Sequence, residues 1–199
     1  MQVTKRDCIA LIVAMLMGAV SIWYCYLSVT GKIEPVLSTW LLFFLASSLG
    51  LWTYINAGKS ERSFAVNINN SADVVFTGVI LACLLYLKAD AGFTPFGVFC
   101  IGLAGAVFAY YLLRRNAAVA NIAVNSVLTI AYFPTFERLW NANHNTESFG
   151  IWLTVWVAQV FALYNPLKAR DLLAIIYASR AFVLVSSVLV LMFRLQFAH

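Results

Sequence analysis

A few polar side chains stand inside stretches that are otherwise apolar, and any chemistry of this chain has to be built from them. Arg180 lies well inside the apolar run from Asp171 to Phe193. A charged group at such a depth in hydrocarbon costs about 3 kcal/mol, so it must face other helices and find a partner. Two roles are open to it: a lock to Asp73 or to a backbone carbonyl, or a cationic contact for a polar or anionic solute. Asp73 stands a few residues into a second run, Asn67 to Leu87, where it either pairs with Arg180 or caps its own helix at the membrane surface. Asn121 and Asn125 are four residues apart with Ser126 and Thr129 beside them, which makes one face of an Ala/Val/Ile helix polar. Helix–helix hydrogen bonding, about 0.6 kcal/mol per contact, is the plainer account of that face; the lining of a pathway is the other. Trp152, Trp156 and Gln159 fall at i, i+4 and i+7 on one helical face. Trp40, Trp52 and Trp152 suit an interfacial belt, whereas Trp156 is too deep for one and forms a central polar–aromatic surface with Gln159. Ser47, Ser48 and Gly50 read as small packing residues.

Most other chemistries lack their parts. The only histidines are His144 and His199, and Cys8, Cys25, Cys83 and Cys100 all fall in apolar runs with no CxxC pair. Bis-histidine haem ligation inside the bilayer and an intramembrane zinc protease site are therefore excluded, and the cysteines read as small buried hydrophobes. There is no G-x-S-x-G, no carboxylate pair and no lysine in the last apolar run to hold retinal. The expectation is a protein that is not an enzyme and needs no cofactor. The remaining enzyme option rests on Glu137, His144 and Glu147 in a polar segment.

The elements that must position these residues follow from composition. Of 199 residues, 63% are hydrophobic and 11% charged, against about 25% charged in a soluble domain. No water-facing fold of this length could bury so much apolar surface, so the solvent for most of the chain is the lipid bilayer. The net charge of +5 is spread over short connectors, with no basic tract interleaved with aromatics, which excludes nucleic acid. A span needs about 20 apolar residues. Seven segments approach that length: Cys8 to Val29, Val36 to Ala57, Asn67 to Leu87, Phe96 to Leu113, Ala117 to Phe133, Phe149 to Tyr164 and Asp171 to Phe193. The third must take in Asn67, Asn69, Asn70 and Asp73 to cross. The first imitates a signal peptide but ends in Trp and Tyr without a small-residue cleavage site, so it is expected to stay as an uncleaved span. Pro35, Pro95 and Pro166 fall where helices begin or end, Gly31, Gly58 and Gly92 punctuate connectors, and Pro134 is placed to kink the fifth span near its end.

Basic residues orient the chain. The side that holds the N-terminus carries eight, namely Lys5, Arg6, Lys59, Arg62, Arg114, Arg115, Lys168 and Arg170; the other carries four, Lys32, Lys88, Arg138 and Arg194. That bias places the N-terminus in the cytoplasm and the C-terminus outside the cytoplasmic membrane.

The two ends of the chain look duplicated. From Tyr132 to Tyr164 an apolar helix, a polar connector and a Trp-led helix follow one another; from Tyr26 to Tyr54 the same order recurs with Glu34 in the connector. Laying Trp40 on Trp152 puts Trp52 on Tyr164. Seven spans with similar ends give a 3+1+3 plan: residues 1–90, a linker span at 91–116, and residues 117–199. With four spans before it the fifth starts on the same side as the first, so the repeat is parallel, about an axis along the membrane normal.

The stretch Tyr132-Phe133-Pro134-Thr135, then Glu137, Arg138 and Trp140, then Glu147-Ser148 before a Trp-containing helix, resembles the second motif of the PQ-loop superfamily, which includes the SWEET sugar transporters. Gly31-Lys32, Glu34-Pro35 and Thr39-Trp40 resemble a degenerate first motif, without its Pro-Gln pair. The predicted topology looks more like the PnuC-type vitamin carriers, which share that fold. The resemblance implies a uniporter or secondary carrier for a small polar solute such as a sugar or vitamin, bound between two three-helix bundles. It implies Trp52 and Asn70 as solute contacts in the first bundle and Tyr164 in the second, where the position matching the second Asn is Arg180. With Asp73, Asn125 and Trp156 these make up the expected binding set. Small-residue faces and short connectors also admit a homo-oligomer, and they leave one alternative: a non-transporting membrane subunit or exclusion factor that acts through helix contacts with a partner.

Overall fold

The computed structural model describes residues 5–33, 35, 37–57, 63–89, 95–143, 145 and 147–197. Glu34, Gly58, Lys59, Arg62, Gly92, His144 and His199 lie outside them, as do the side chains of Pro134 and Arg138. Among the described residues every regular element is an α-helix: α1 (Lys5–Val29), α2 (Leu37–Asn56), α3 (Ile68–Tyr86), α4 (Pro95–Arg114), α5 (Ala117–Ile130), α6 (Phe133–Asn141), α7 (Phe149–Ala162), α8 (Tyr164–Ala169) and α9 (Leu172–Phe197). Taking α5 with α6 and α7 with α8, seven are long and apolar enough to cross a membrane. The chain is an all-helical, multi-pass membrane protein. Leu11, Ile22, Val75, Leu113, Val183 and Val190 stand more than half exposed on the outer surface, where hydrocarbon is their natural solvent.

Two spans run longer than the sequence pattern indicates, and both are broken at the same chemical point. The helix α5 ends at Ile130 and α7 at Ala162. Four residues on in each case comes a proline, Pro134 and Pro166. Proline has no N–H to give to the carbonyl four residues back, so the regular ladder stops there. It is well tolerated in a first helical turn, and a new helix starts around it: α6 carries Pro134 in its first turn and α8 carries Pro166. This corrects the expectation of a polar connector after Phe133, since Phe133–Asn141 is helical. Arg194 Nη2 secures the end of that helix by donating to the Leu139 and Trp140 carbonyls at 3.0 and 2.7 Å.

The helices pack in a regular order. α3 lies against both α1 and α2, and α9 lies against α5, α6 and α7. Across the middle, α1 packs on α7 and α2 on α5, while α4 lies outside against α5 and α2. Val13, Met17 and Val20 of α1 bury against Ile151, Val155 and Ala158 of α7. Tyr54, fully buried, packs with Val66, Leu173 and Ala174 at the end of the bundle that holds the start of the chain. Three helices come close at Gly50, where an added Cβ would meet the Asn70 side-chain amide at 3.2 Å and Val124 Cγ1 at 3.4 Å. Gly50→Ala is accordingly expected to force α2 from α3 and α5 and to cost about 1–3 kcal/mol, read as a lower melting temperature in detergent.

Candidate functional site

A cavity of about 630 Å³ runs between the helices. At one end it is lined by Ile33, Pro35, Phe96, Gly97, Glu147 and Ser148, which all sit where spans begin or end on the same side. From there it passes Trp40, Phe43, Tyr132 and Trp152 and reaches a polar floor.

Helical spacing builds that floor. α3 presents Asp73, Phe76 and Thr77 to it, α9 presents Tyr177, Arg180 and Ala181, and α7 presents Trp152, Val155 and Gln159. In each set the later residues fall three, four or seven places after the first, so they share a face with it. Tyr177 is the hub: its hydroxyl donates to Asp73 Oδ2 at 2.9 Å, and the Arg180 guanidinium lies over its ring, 4.7 Å from the centre. Among the described residues no direct ion pair joins Asp73 to Arg180, because Tyr177 stands between them. The expected pairing of the two charges is thus made through a third side chain. The capping alternative for Asp73 fails, since it is the sixth residue of α3 and bonds to α9.

A layer of asparagines holds the floor from behind. Arg180 Nε donates to Asn125 Oδ1 at 3.1 Å. Asn125 Nδ2 donates to the Asn121 carbonyl at 2.9 Å, and Asn121 Nδ2 donates to the Gly50 carbonyl at 2.7 Å and to Thr53 Oγ1 at 3.2 Å. The polar face of α5 therefore bonds to its neighbours and aims the arginine. With its amide turned to satisfy both ends, Asn70 donates to the Ser47 carbonyl (2.9 Å) and the Tyr177 hydroxyl (3.2 Å) and accepts from Leu51 N (2.9 Å). A hydrogen-bonded line Asn70, Tyr177, Asp73 results.

Beyond this layer hydrogen bonds tie the helices together at the end that holds Lys5. Tyr54 donates to Asp171 Oδ2 at 3.0 Å, and Asn165 Nδ2 donates to the carbonyls of Arg6 and Ala65 at 3.1 and 2.9 Å. These bonds join α2 to the start of α9, and α8 to α1 and to the turn before α3. The Lys5 and Lys168 ammonium groups lie 5.2 and 5.7 Å from the Tyr164 ring centre at the same end.

Of the expected binding set, Asp73 and Arg180 line the cavity, and Asn70 and Asn125 stand directly behind them. Trp52, Trp156 and Tyr164 are not among its lining residues. Trp52 is 61% exposed on α2. Trp156 donates Nε1 to Ser186 at 2.9 Å and stacks on Phe182. The reason is angular: at 100° per residue, Trp156 sits about 40° to one side of Trp152 and Gln159 about 20° to the other. Sequence spacing overlooked Tyr177, although it lies three residues before Arg180 on the same face, and the Tyr54–Asp171 closure. The enzyme option gathers no site among the described residues: Glu137 is exposed on α6, and Glu147 accepts from Trp152 Nε1 at 3.0 Å. Trp52→Ala is expected to leave solute binding within twofold and stability within about 0.5 kcal/mol, as for surface positions generally; titration calorimetry and thermal melts check both.

No protein-family model matches the chain, and neither a curated protein nor a solved structure does. Function has to be argued from the cavity.

Proposed function

We propose that this protein is a carrier for a small polar solute in the cytoplasmic membrane, a uniporter or secondary carrier working by alternating access. The observation that carries this reading is the 630 Å³ cavity that ends on Asp73 and Arg180 partway through the bundle. Charged groups inside a membrane span are costly and mark solute or ion paths by default. A cavity lined at one end and bonded shut at the other is what one state of such a carrier requires.

Helix order supports the 3+1+3 plan. In residues 1–90 the third span packs on the first two; in residues 117–199 the last span packs on the two before it, and α4 is the linker. The cross-contacts are reciprocal, first on second and second on first, as an axis along the membrane normal demands. The basic-residue bias puts the closed end in the cytoplasm, so the cavity faces outward.

Purified protein in liposomes is expected to equilibrate a radiolabelled solute that is found by thermal shift. A ligand at a hundred times its dissociation constant raises stability by about 2.7 kcal/mol. Binding without flux in liposomes would remove the carrier role. One observation favours the alternative of a non-transporting membrane subunit. Gly102 and Ala106 are four apart and exposed on α4, and a Cβ at Gly102 or Gly105 would meet nothing within 4 Å, a small-residue face of the kind that seats another helix. No flux together with a stoichiometric co-purifying partner is the result that reading expects.

A further inference from the structure

The floor of the cavity carries one acid and one base, held apart. Asp73 uses Oδ2 for the Tyr177 hydroxyl. Arg180 uses Nε for Asn125 and one guanidinium face for the Tyr177 ring. Neither makes another polar contact among the described residues, so Asp73 Oδ1 and both terminal guanidinium nitrogens are left without a hydrogen-bond partner. Both side chains line the cavity and are half-buried. Gln159 lines the same floor at 2% exposure, and its Oε1 has no hydrogen-bond partner there. A buried polar group left unbonded is costly, which points to a ligand that completes it.

The charges sum to zero, so a solute with a net charge of either sign would desolvate one of them against nothing. A neutral polyol would satisfy them only as dipoles. A solute that carries both a carboxylate and an ammonium group satisfies both as charges, since charge-assisted hydrogen bonds are about twice as strong as neutral ones. Above the floor the walls are Trp40, Phe43, Phe76, Tyr132 and Trp152, surfaces that suit an apolar or aromatic body. From this pairing of a split charge and aromatic walls, we infer that the solute class is a zwitterion with an apolar side chain, an α-amino acid in form. Its carboxylate sits on Arg180, and its ammonium on Asp73 with Gln159 as second acceptor. The inference rests on the carrier reading for its purpose but on the floor alone for its chemistry.

The test is titration calorimetry of the full chain in detergent with L-phenylalanine, 3-phenylpropionate, phenethylamine and D-glucose. L-phenylalanine is expected to bind at least tenfold more tightly than either analogue that lacks one charge, a comparison that needs no variant. Asp73→Asn is expected to remove the preference over 3-phenylpropionate and keep that over phenethylamine; Arg180→Lys should weaken the carboxylate arm alone. L-phenylalanine binding no more tightly than either analogue, or glucose binding where L-phenylalanine does not, overturns the zwitterion; in the second case glucose flux in liposomes would leave the carrier standing. L-phenylalanine bound in the expected pattern but never crossing the liposome keeps the site and ends the carrier. No binding by any of the four ends the zwitterion.

Discussion

Arg180→Ala is expected to abolish uptake while the protein still reaches the membrane. The guanidinium does three things at once. It bonds Asn125 at 3.1 Å, covers the Tyr177 ring, and offers the only positive charge on the cavity floor among the described residues. Removing it leaves Asp73 without a compensating charge and the buried Asn125 Oδ1 one donor short, at a cost of about 1–3 kcal/mol. Part of that will show as a lower melting temperature. The informative comparison is Arg180→Lys, which keeps the charge and loses the planar group that stacks and bonds in two directions. Lysine should recover most of the stability and little of the uptake. Equal uptake in cells expressing Arg180→Ala and the unaltered protein, at matched membrane levels, would show that the arginine is a structural lock and nothing more.

The second large effect belongs to the closed end. Tyr54→Phe removes the donor that reaches Asp171 at 3.0 Å in a region where both side chains are buried. The ring still fills its place against Val66, Leu173 and Ala174, so packing survives and the loss is that of the hydrogen bond. Leaving a buried carboxylate one donor short costs about 1–3 kcal/mol, which is a factor of about 5–150 in an equilibrium. Opening at this end should become more frequent by that factor. Hydrogen exchange reads it directly, because the Leu173 amide donates to Asp171 Oδ1 at 3.2 Å and is released with it. Exchange at Leu173 and Ala174 that is no faster than in the unaltered protein would mean the bond does not hold the closure.

What could be read from the chain alone follows the physics of each scale. The spans were legible because lipid demands about 20 apolar residues in a row, and Arg180 and Asp73 stood out because hydrocarbon tolerates charges so poorly. The extension of the fifth span through Phe133–Asn141 was hidden, since its composition is as polar as that of a connector. Tyr177 was hidden for a different reason. A tyrosine in an apolar run is ordinary until the partner of its hydroxyl is known, and Asp73 lies 104 residues away in sequence. Trp52 and Tyr164 were matched by alignment of the two halves, which fixes position along a helix but leaves rotation about its axis open.

The two prolines divide mechanical labour between the halves of the molecule. α1, α2 and α3 run unbroken, whereas both interruptions, after Ile130 and after Ala162, fall among the later helices and at opposite faces of the membrane. Bending at either place sacrifices no backbone bond, because that bond was never made. For the proposed carrier, the early helices form a stiff wall and the later ones carry two separate joints, one toward each mouth.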